Sequence, residues 1–382
     1  MKQYFLTRPL FDKEELERVA ACLDSRWVTQ GPHVEQFERL FGARHRVPYA
    51  LATTSCTAAL HLAAMALGLG PGDGVMVPAL TWITSANCAE YVGAKVNFVD
   101  VELDTFNMNP VALEAAITSE TRALVVVHLF GLAARMDEIM TIARRHNLMV
   151  IEDAACAVGT TYDSQPVGSI GDVGCFSFHP RKVITTGEGG MATTRDATLR
   201  RRIEALRNHG ITGVQPQELN KPFAIGDYDL LGYNLRMSDI QGAIGIAQMG
   251  KLDGLLAERK RLADRYTHSL AGMREDISVP SVPEKCGHTF QSYVTRICHG
   301  SRVQRNLIME DLEKKGIQTR PGTQAVHRLG YYRDKYHLRP EMFPNACIGE
   351  DLTITLPIFP GMTDQDQDFV VQSIREALSL IK

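Results

Sequence analysis

From about residue 48 onward, short apolar runs alternate with amphipathic stretches, and this alternation predicts the centre of the fold. The runs VMVP at 75–78, VNFVD at 96–100, ALVVVHLFG at 123–131 and LMVIEDA at 148–154 have the length and bulk of buried strands. Between them, 57–67 and 135–147 repeat apolar residues at helical spacing. Strand alternating with helix predicts a mostly parallel sheet, and such sheets bind ligands at the carboxyl ends of their strands.

The flanking segments complete the picture. Asp12 and Glu15 have the spacing of a capping box, with Phe11 and Leu16 placed for a hydrophobic staple, so a helix is predicted to start here and end before Trp27. A second helix follows Gly31-Pro32, with Val34, Phe37, Leu40 and Phe41 on one face. Ser238 and Gln241 form another capping box that opens a long helix, in which Ile240, Ile244, Leu252, Leu256 and Leu262 mark the buried side. Beyond a loop punctuated by Pro280, Pro283 and Gly287, a strand at 292–297 leads to a helix ending at Gly316, and a last helix starts near Thr363. The resulting expectation is an N-terminal lead-in over 1–30, a large sheet domain over 31–250 and a smaller α+β domain over 251–382.

Composition narrows the function. A net charge of −3 with a pI near 6.5 gives no electrostatic case for nucleic acid or for an anionic membrane surface. No apolar run approaches the roughly 20 residues that span a bilayer, and the N-terminus lacks a basic-then-apolar signal pattern, so a cytoplasmic protein acting on small molecules is expected. The eight cysteines include no CxxC pair, which argues for reduced thiols rather than a disulfide framework or a metal site.

Three segments carry candidate chemistry. In GCFSFHPRKVITTGEGGMATT, residues 174–194, an apolar strand runs to Lys182 and then to a glycine-rich turn. A lysine in a desolvated pocket forms a Schiff base with an aldehyde; the plain alternative is a solvated lysine beside a hairpin. In VIEDAACAVG, residues 150–159, a strand ends in Glu152 and Asp153. A carboxylate there can hold the pyridine nitrogen of pyridoxal phosphate (PLP) protonated, unless the pair merely caps a following helix. In ATTSCTAAL, residues 52–60, Ser55 and Thr57 lie at the start of a helix, where free amides and hydroxyls make a phosphate site or an ordinary cap.

Together these segments resemble the DegT/DnrJ/EryC1/StrS family of PLP-dependent sugar aminotransferases. SFHPRKVITTGEGG is similar to the family's lysine segment. WVTQGPHVEQFE at 27–38, SCTAALHLAAMALGLGPGD at 55–73, VPALTWITSANCAEYVGA at 77–94, EDAACAVG at 152–159 and LGYNLRMSDIQGAIG at 231–245 follow in the family's order. The resemblance covers nearly the whole chain. It implies an α/β fold of the fold type I, aspartate-aminotransferase-like class, with PLP carried on Lys182 and its ring nitrogen paired with Asp153. It further implies that Trp82 stacks on the cofactor and that Ser55, Cys56, Thr57 and Ser177 bind its phosphate. Asn234 would reach the phosphate of a partner subunit, making a homodimer with shared sites. Position 56 is Cys where Gly is frequent, and Cys156 stands where Gln or His often faces the cofactor's 3-hydroxyl.

The implied activity is transfer of an amino group from L-glutamate to a keto-sugar, first of all a nucleotide-linked 4-keto-6-deoxy sugar. Relatives that dehydrate sugars carry histidine at the lysine position, so Lys182 favours amino transfer over that reading. The segment GIQTRPGTQAVHRLGYY at 316–332 departs from the family's more usual run, which keeps a free acidic keto-sugar, such as an oxidised octulosonate, as the alternative substrate. His209, Arg320, His327 and Arg328 are the candidate substrate residues, the arginines through bidentate pairing with a carboxylate. A PLP-binding regulator is disfavoured because no DNA-binding helix pair or basic segment precedes residue 12. A nicotinamide oxidoreductase is disfavoured because no GxGxxG follows the first strand.

Overall fold

The computed structural model describes residues 2–212 and 226–379; the outermost bounds of the expected domains, Met1 and Lys382, lie outside them. Seven strands form the central sheet: β1 (Tyr49–Thr53), β2 (Gly74–Pro78), β3 (Lys95–Val99), β4 (Thr121–Val127), β5 (Met149–Asp153), β6 (Val173–Ser177) and β7 (Gly190–Thr194). Their spatial order is β1-β7-β6-β5-β4-β2-β3. Every neighbouring pair is parallel except those of β7, which runs against both β1 and β6. The near-continuous apolar runs are explained by burial on both faces. Val75, Val77, Val125 and Ile151 enter one core, and Met76, Leu124, Val126 and Val150 enter the other.

That alternation sorts the two acids at the end of β5. Asp153 shares the parity of Ile151 and faces the core that holds the helix Cys56–Ala66; Glu152 shares the parity of Val150 and faces the opposite core.

Local signals account for the helix starts. Asp12 and Glu15 form the expected capping box at Lys13–Asp24, but Phe11 and Leu16 are both exposed, so the expected staple does not form. The cap is held in turn by Lys251, which pairs with both Asp12 and Glu15, and by Gln248, which donates to Glu15 and to the Leu10 carbonyl. Helix Pro32–His45 begins at Gly31, which has no side chain to cap with. The Asp239 carboxylate substitutes, accepting the amides of His33 and Val34 at 3.2 and 2.9 Å.

The long helix Asp239–Ser269, 31 residues, opens with the Ser238/Gln241 capping box. Leu252 and Leu255 pack into a core of the large sheet, whereas Leu262 and Tyr266 pack into a third cluster around the sheet of Ile277–Ser278, Tyr293–Ile297 and Thr353–Leu356. Helices Arg302–Lys314 and Asp364–Ser379 cover that smaller sheet. Tyr4 belongs to the same cluster, and its amide bonds to the carbonyl of Gly316, so the first residues are stitched to the C-terminal part of the chain.

Candidate active site

The first component is a helix start. Strand β1 ends at Thr53, and Ser55 caps the helix Cys56–Ala66, its hydroxyl accepting the amide of Ala58 at 3.1 Å. The Thr53 hydroxyl donates to the Ser55 carbonyl at 2.9 Å and fixes the turn. In this first turn the amides of Cys56 and Thr57 have no carbonyl one turn back to bond to, which leaves them for an anion. The approach of β7 closes the cradle. A Cβ on Gly190 would lie 2.3 Å from the Ser55 carbonyl carbon and 2.5 Å from the Cys56 nitrogen, so only glycine fits.

The second component is β5. The Asp153 carboxylate, 4% exposed, accepts the Ser85 hydroxyl at 2.6 Å and the Ala155 amide at 3.1 Å. No helix follows directly, so the acids are not helix caps. Glu152 is used up inside the fold: it accepts from Gly168, Ile170 and Gly171 amides at 2.8, 2.8 and 2.6 Å and lies 2.9 Å from His128 Nε2. Burial opposes its charge, but His128 and those amides more than offset it and hold its pKa below the usual carboxylate range.

The third component is the loop between β6 and β7. Strand β6 stops at Ser177, not at the lysine as the sequence suggested, and Lys182 stands in the connecting loop. Its amide bonds to the His179 carbonyl at 2.8 Å, and Thr185 and Thr186 both return to the Phe178 carbonyl. Gly187, with φ +84°, turns the chain back towards β7. The amine lies 3.1 Å from Cys156 Sγ. Burial opposes its charge, while Cys156, Cys56 and Asp153 favour it more strongly, so its pKa is raised. The same couplings put the amine, Asp153 and the helix start at Cys56 within one electrostatic neighbourhood. Burial and the Asp153 charge push the Cys56 thiol well up, and for the same reasons Cys88 is pushed up to about 12.

The remaining sequence candidates divide into two groups. Ser177, buried at the end of β6, takes the His179 amide at 3.4 Å; Trp82, 58% exposed, directly follows Thr81. Asn234 is exposed, bridged to Asn208, next to Leu235 whose carbonyl receives the Thr54 amide. His209 is exposed with φ +62°, and Arg320 is exposed with no ion pair among the described residues. The other two have commitments inside the fold. His327 is buried against Phe343 and Cys347, and burial, with Arg328 beside it, lowers its pKa to about 4. Arg328 is paired with Glu350 at 3.1 Å and Asp351 at 2.8 Å. Two residues escaped the sequence reading altogether: Ser85 on Asp153, and Arg181, whose pKa is lowered by burial and by the nearby Arg320 cation.

A lysine amine, a buried carboxylate and a hydroxyl-lined helix start, converging on the carboxyl edge of a doubly wound sheet, define the class of PLP-dependent transferases. The donor set fits the cofactor group by group: amine for aldehyde, carboxylate for ring nitrogen, amides and hydroxyls for phosphate. The chain belongs to the DegT/DnrJ/EryC1/StrS aminotransferase family, whose sequence pattern matches residues 9–375, and PLP is its cofactor. It is 39% identical to GDP-perosamine synthase of Caulobacter vibrioides over 97% of each chain. It is 37% identical to the spore coat polysaccharide biosynthesis protein SpsC of Bacillus subtilis, covering 96% of this chain and 95% of that one. Among solved structures, the PMP form of the putative sugar aminotransferase Spr1654 from Streptococcus pneumoniae superposes with a TM-score of 0.94 at 29% identity, over 99% of this chain and all of that one. The protein is a sugar aminotransferase. No helix among the described residues is long and apolar enough to cross a membrane.

Proposed function

We propose that this enzyme moves an amino group from L-glutamate onto a nucleotide-linked 4-keto-6-deoxy sugar, working as a homodimer with shared active sites. The observation that carries the amino-transfer chemistry is the Lys182 amine, 3.1 Å from Cys156 and coupled to Asp153, at the edge of the sheet. The likeness to GDP-perosamine synthases over nearly all of the chain supports a nucleotide-linked sugar.

When bound, PLP supplies an aldehyde that exchanges nitrogen and a ring that accepts electrons. The chain's own residues do the rest. Lys182 would anchor the cofactor, and its amine, once free, would serve as the base and acid that moves a proton at the substrate carbon. Asp153 would hold the ring nitrogen and favour a proton there, because a buried carboxylate stabilises a cationic ring. Ser55, Thr57, Ser177 and the amides of Cys56 and Thr57 hold the phosphate, with the Cys56 side chain packed behind them. Trp82 would stack on the ring and Asn234 would reach the phosphate of the neighbouring subunit, while Cys156 lies beside the amine.

A free acidic keto-sugar is the second reading, and Arg320 and Arg181 favour it. The two guanidinium groups are close enough to feel each other's charge, Arg181 adjoins Lys182, and neither has an acidic partner among the described residues. A substrate carboxylate between them would relieve that repulsion. His209 and Arg320 therefore remain the substrate candidates, ahead of His327 and Arg328. The test is a titration of glutamate-treated enzyme with GDP- and dTDP-linked 4-keto-6-deoxy sugars and with free keto-acids, following visible absorbance and product mass. Amination of a nucleotide-linked sugar is the expected result; amination of the free acid alone would transfer the proposal to the second reading.

A further inference from the structure

Asp153 does not stand alone. Its Oδ2 is 2.6 Å from the Ser85 hydroxyl, and that hydroxyl is 2.9 Å from the Thr81 hydroxyl. All three side chains are buried, with exposures of 4% for Asp153, 0% for Ser85 and 1% for Thr81. Either hydroxyl in the Ser85–Thr81 contact could donate on geometry alone, but the carboxylate decides the direction. An ionised carboxylate only accepts, and Ser85 has one proton. That proton goes to Asp153, so the Thr81 hydroxyl donates to Ser85, and the chain of bonds runs one way, Thr81 to Ser85 to Asp153.

We infer that Ser85 is a positioning residue that fixes the rotamer of Asp153 towards the cofactor's ring nitrogen, with Thr81 orienting Ser85. This rests on the assignment of Asp153 to the ring nitrogen. With Ser85 on one oxygen and the Ala155 amide on the other, the carboxyl plane is held from both sides, and the unused lone pairs are left for the ring. All three side chains are buried, where a hydrogen bond is stronger than in water, and a short hydroxyl–carboxylate bond is of the charge-assisted kind.

Both relay residues occupy places that suit the role. Ser85 lies in the first turn of the helix Thr84–Tyr91, where Cys88 donates to its carbonyl at 3.3 Å. Thr81 belongs to the two-residue strand Leu80–Thr81, which pairs with Gln324–Ala325 from the C-terminal part of the chain, and Trp82 follows it directly. One short strand thus connects the hydroxyl relay, the stacking ring and the segment that carries His327 and Arg328.

The experiment uses the full-length holoenzyme and reads three quantities apart from turnover: the cofactor dissociation constant, the pH midpoint of the visible absorbance, and the melting temperature of the cofactor-free protein. Ser85→Ala is expected to weaken cofactor binding about tenfold, the scale of one hydrogen bond to a charged group, and to move the pH midpoint. Thr81→Val should move both in the same direction by less, and Ser85→Thr, which keeps the hydroxyl, should restore both. Asp153→Asn is the control. If it leaves affinity and midpoint at parent values, the assignment of Asp153 itself fails. If Asp153→Asn moves them while Ser85→Ala changes only the melting temperature, Ser85 is structural and the inference is overturned.

Discussion

Asp153 and Glu152 show how much one residue's register decides. Adjacent in sequence and equal in chemistry, they face opposite cores: Glu152 is committed to His128 and three backbone amides, whereas Asp153 accepts from Ser85 and the Ala155 amide and is the one proposed to meet the cofactor. Asp153→Ala should lower turnover by about 10²–10³, the range for losing a preorganised electrostatic partner, with the far-ultraviolet dichroism unchanged. Amino transfer near the parent rate would mean that another group holds the ring nitrogen. At the same scale, His45 is fully buried, stacked on Phe41, and burial lowers its pKa from 6.5 to about 4. A histidine kept neutral in the fold contributes stability in full above its unfolded value and loses it as pH falls towards the folded value, because the unfolded chain takes up the proton first. The window is therefore pH 6.5 down to about 4. Melting temperature should fall across it, and the slope should be shallower in His45→Gln; an unchanged slope would remove His45 from the acid response. His288 and His327, lowered by burial to about 3 and about 4, contribute with the same sign in both proteins.

Elements were legible where the signal was local. The capping boxes at Asp12/Glu15 and Ser238/Gln241 are both formed, because each needs only four consecutive residues. The apolar runs gave β2, β3 and β5 to within a residue, since buried parallel strands are apolar on both faces, whereas the run at 123–131 overshoots the end of β4 at Val127 by four residues because Leu129–Gly131 forms a short 3-10 turn. What failed depended on tertiary neighbours. Phe11 and Leu16 have the spacing of a staple, yet both are exposed, and strand β6 ends five positions before Lys182 because the loop bonds back to His179 and Phe178 instead of to a ladder. Lys182, Asp153 and Ser55 were candidates from sequence because their motifs surround them; the contact of Ser85 with Asp153 was not legible, the two being 68 positions apart. Gly190 belongs to this scale as well, since it sets the distance between β7 and the start of the phosphate-facing helix. Gly190→Ala should cost about 1–3 kcal/mol through overpacking and should weaken cofactor binding more than it lowers the melting temperature. Parent-like affinity for PLP would show that the helix start has room to move.

At the scale of the whole molecule, the 31-residue helix Asp239–Ser269 packs at one end on the large sheet and at the other on the small one, so the division proposed near residue 250 falls inside a continuous element. The expectation of two parts came from the change in the sequence from strand–helix alternation to a shorter α+β pattern. The attachment of Tyr4 to the C-terminal part was not, because a single residue carries no periodicity. The proposed homodimer places Asn234 in the neighbour's site. Mixing inactive Lys182→Ala with inactive Asn234→Ala subunits should then restore activity to the heterodimer, which retains one intact composite site. Proven subunit exchange without recovery would return Asn234 to its own chain. Amino transfer at this site depends on where the cofactor is attached. Borohydride reduction of the yellow protein followed by peptide mapping should find the cofactor adduct on Lys182 and on no other lysine; an adduct elsewhere, or none, would contradict it.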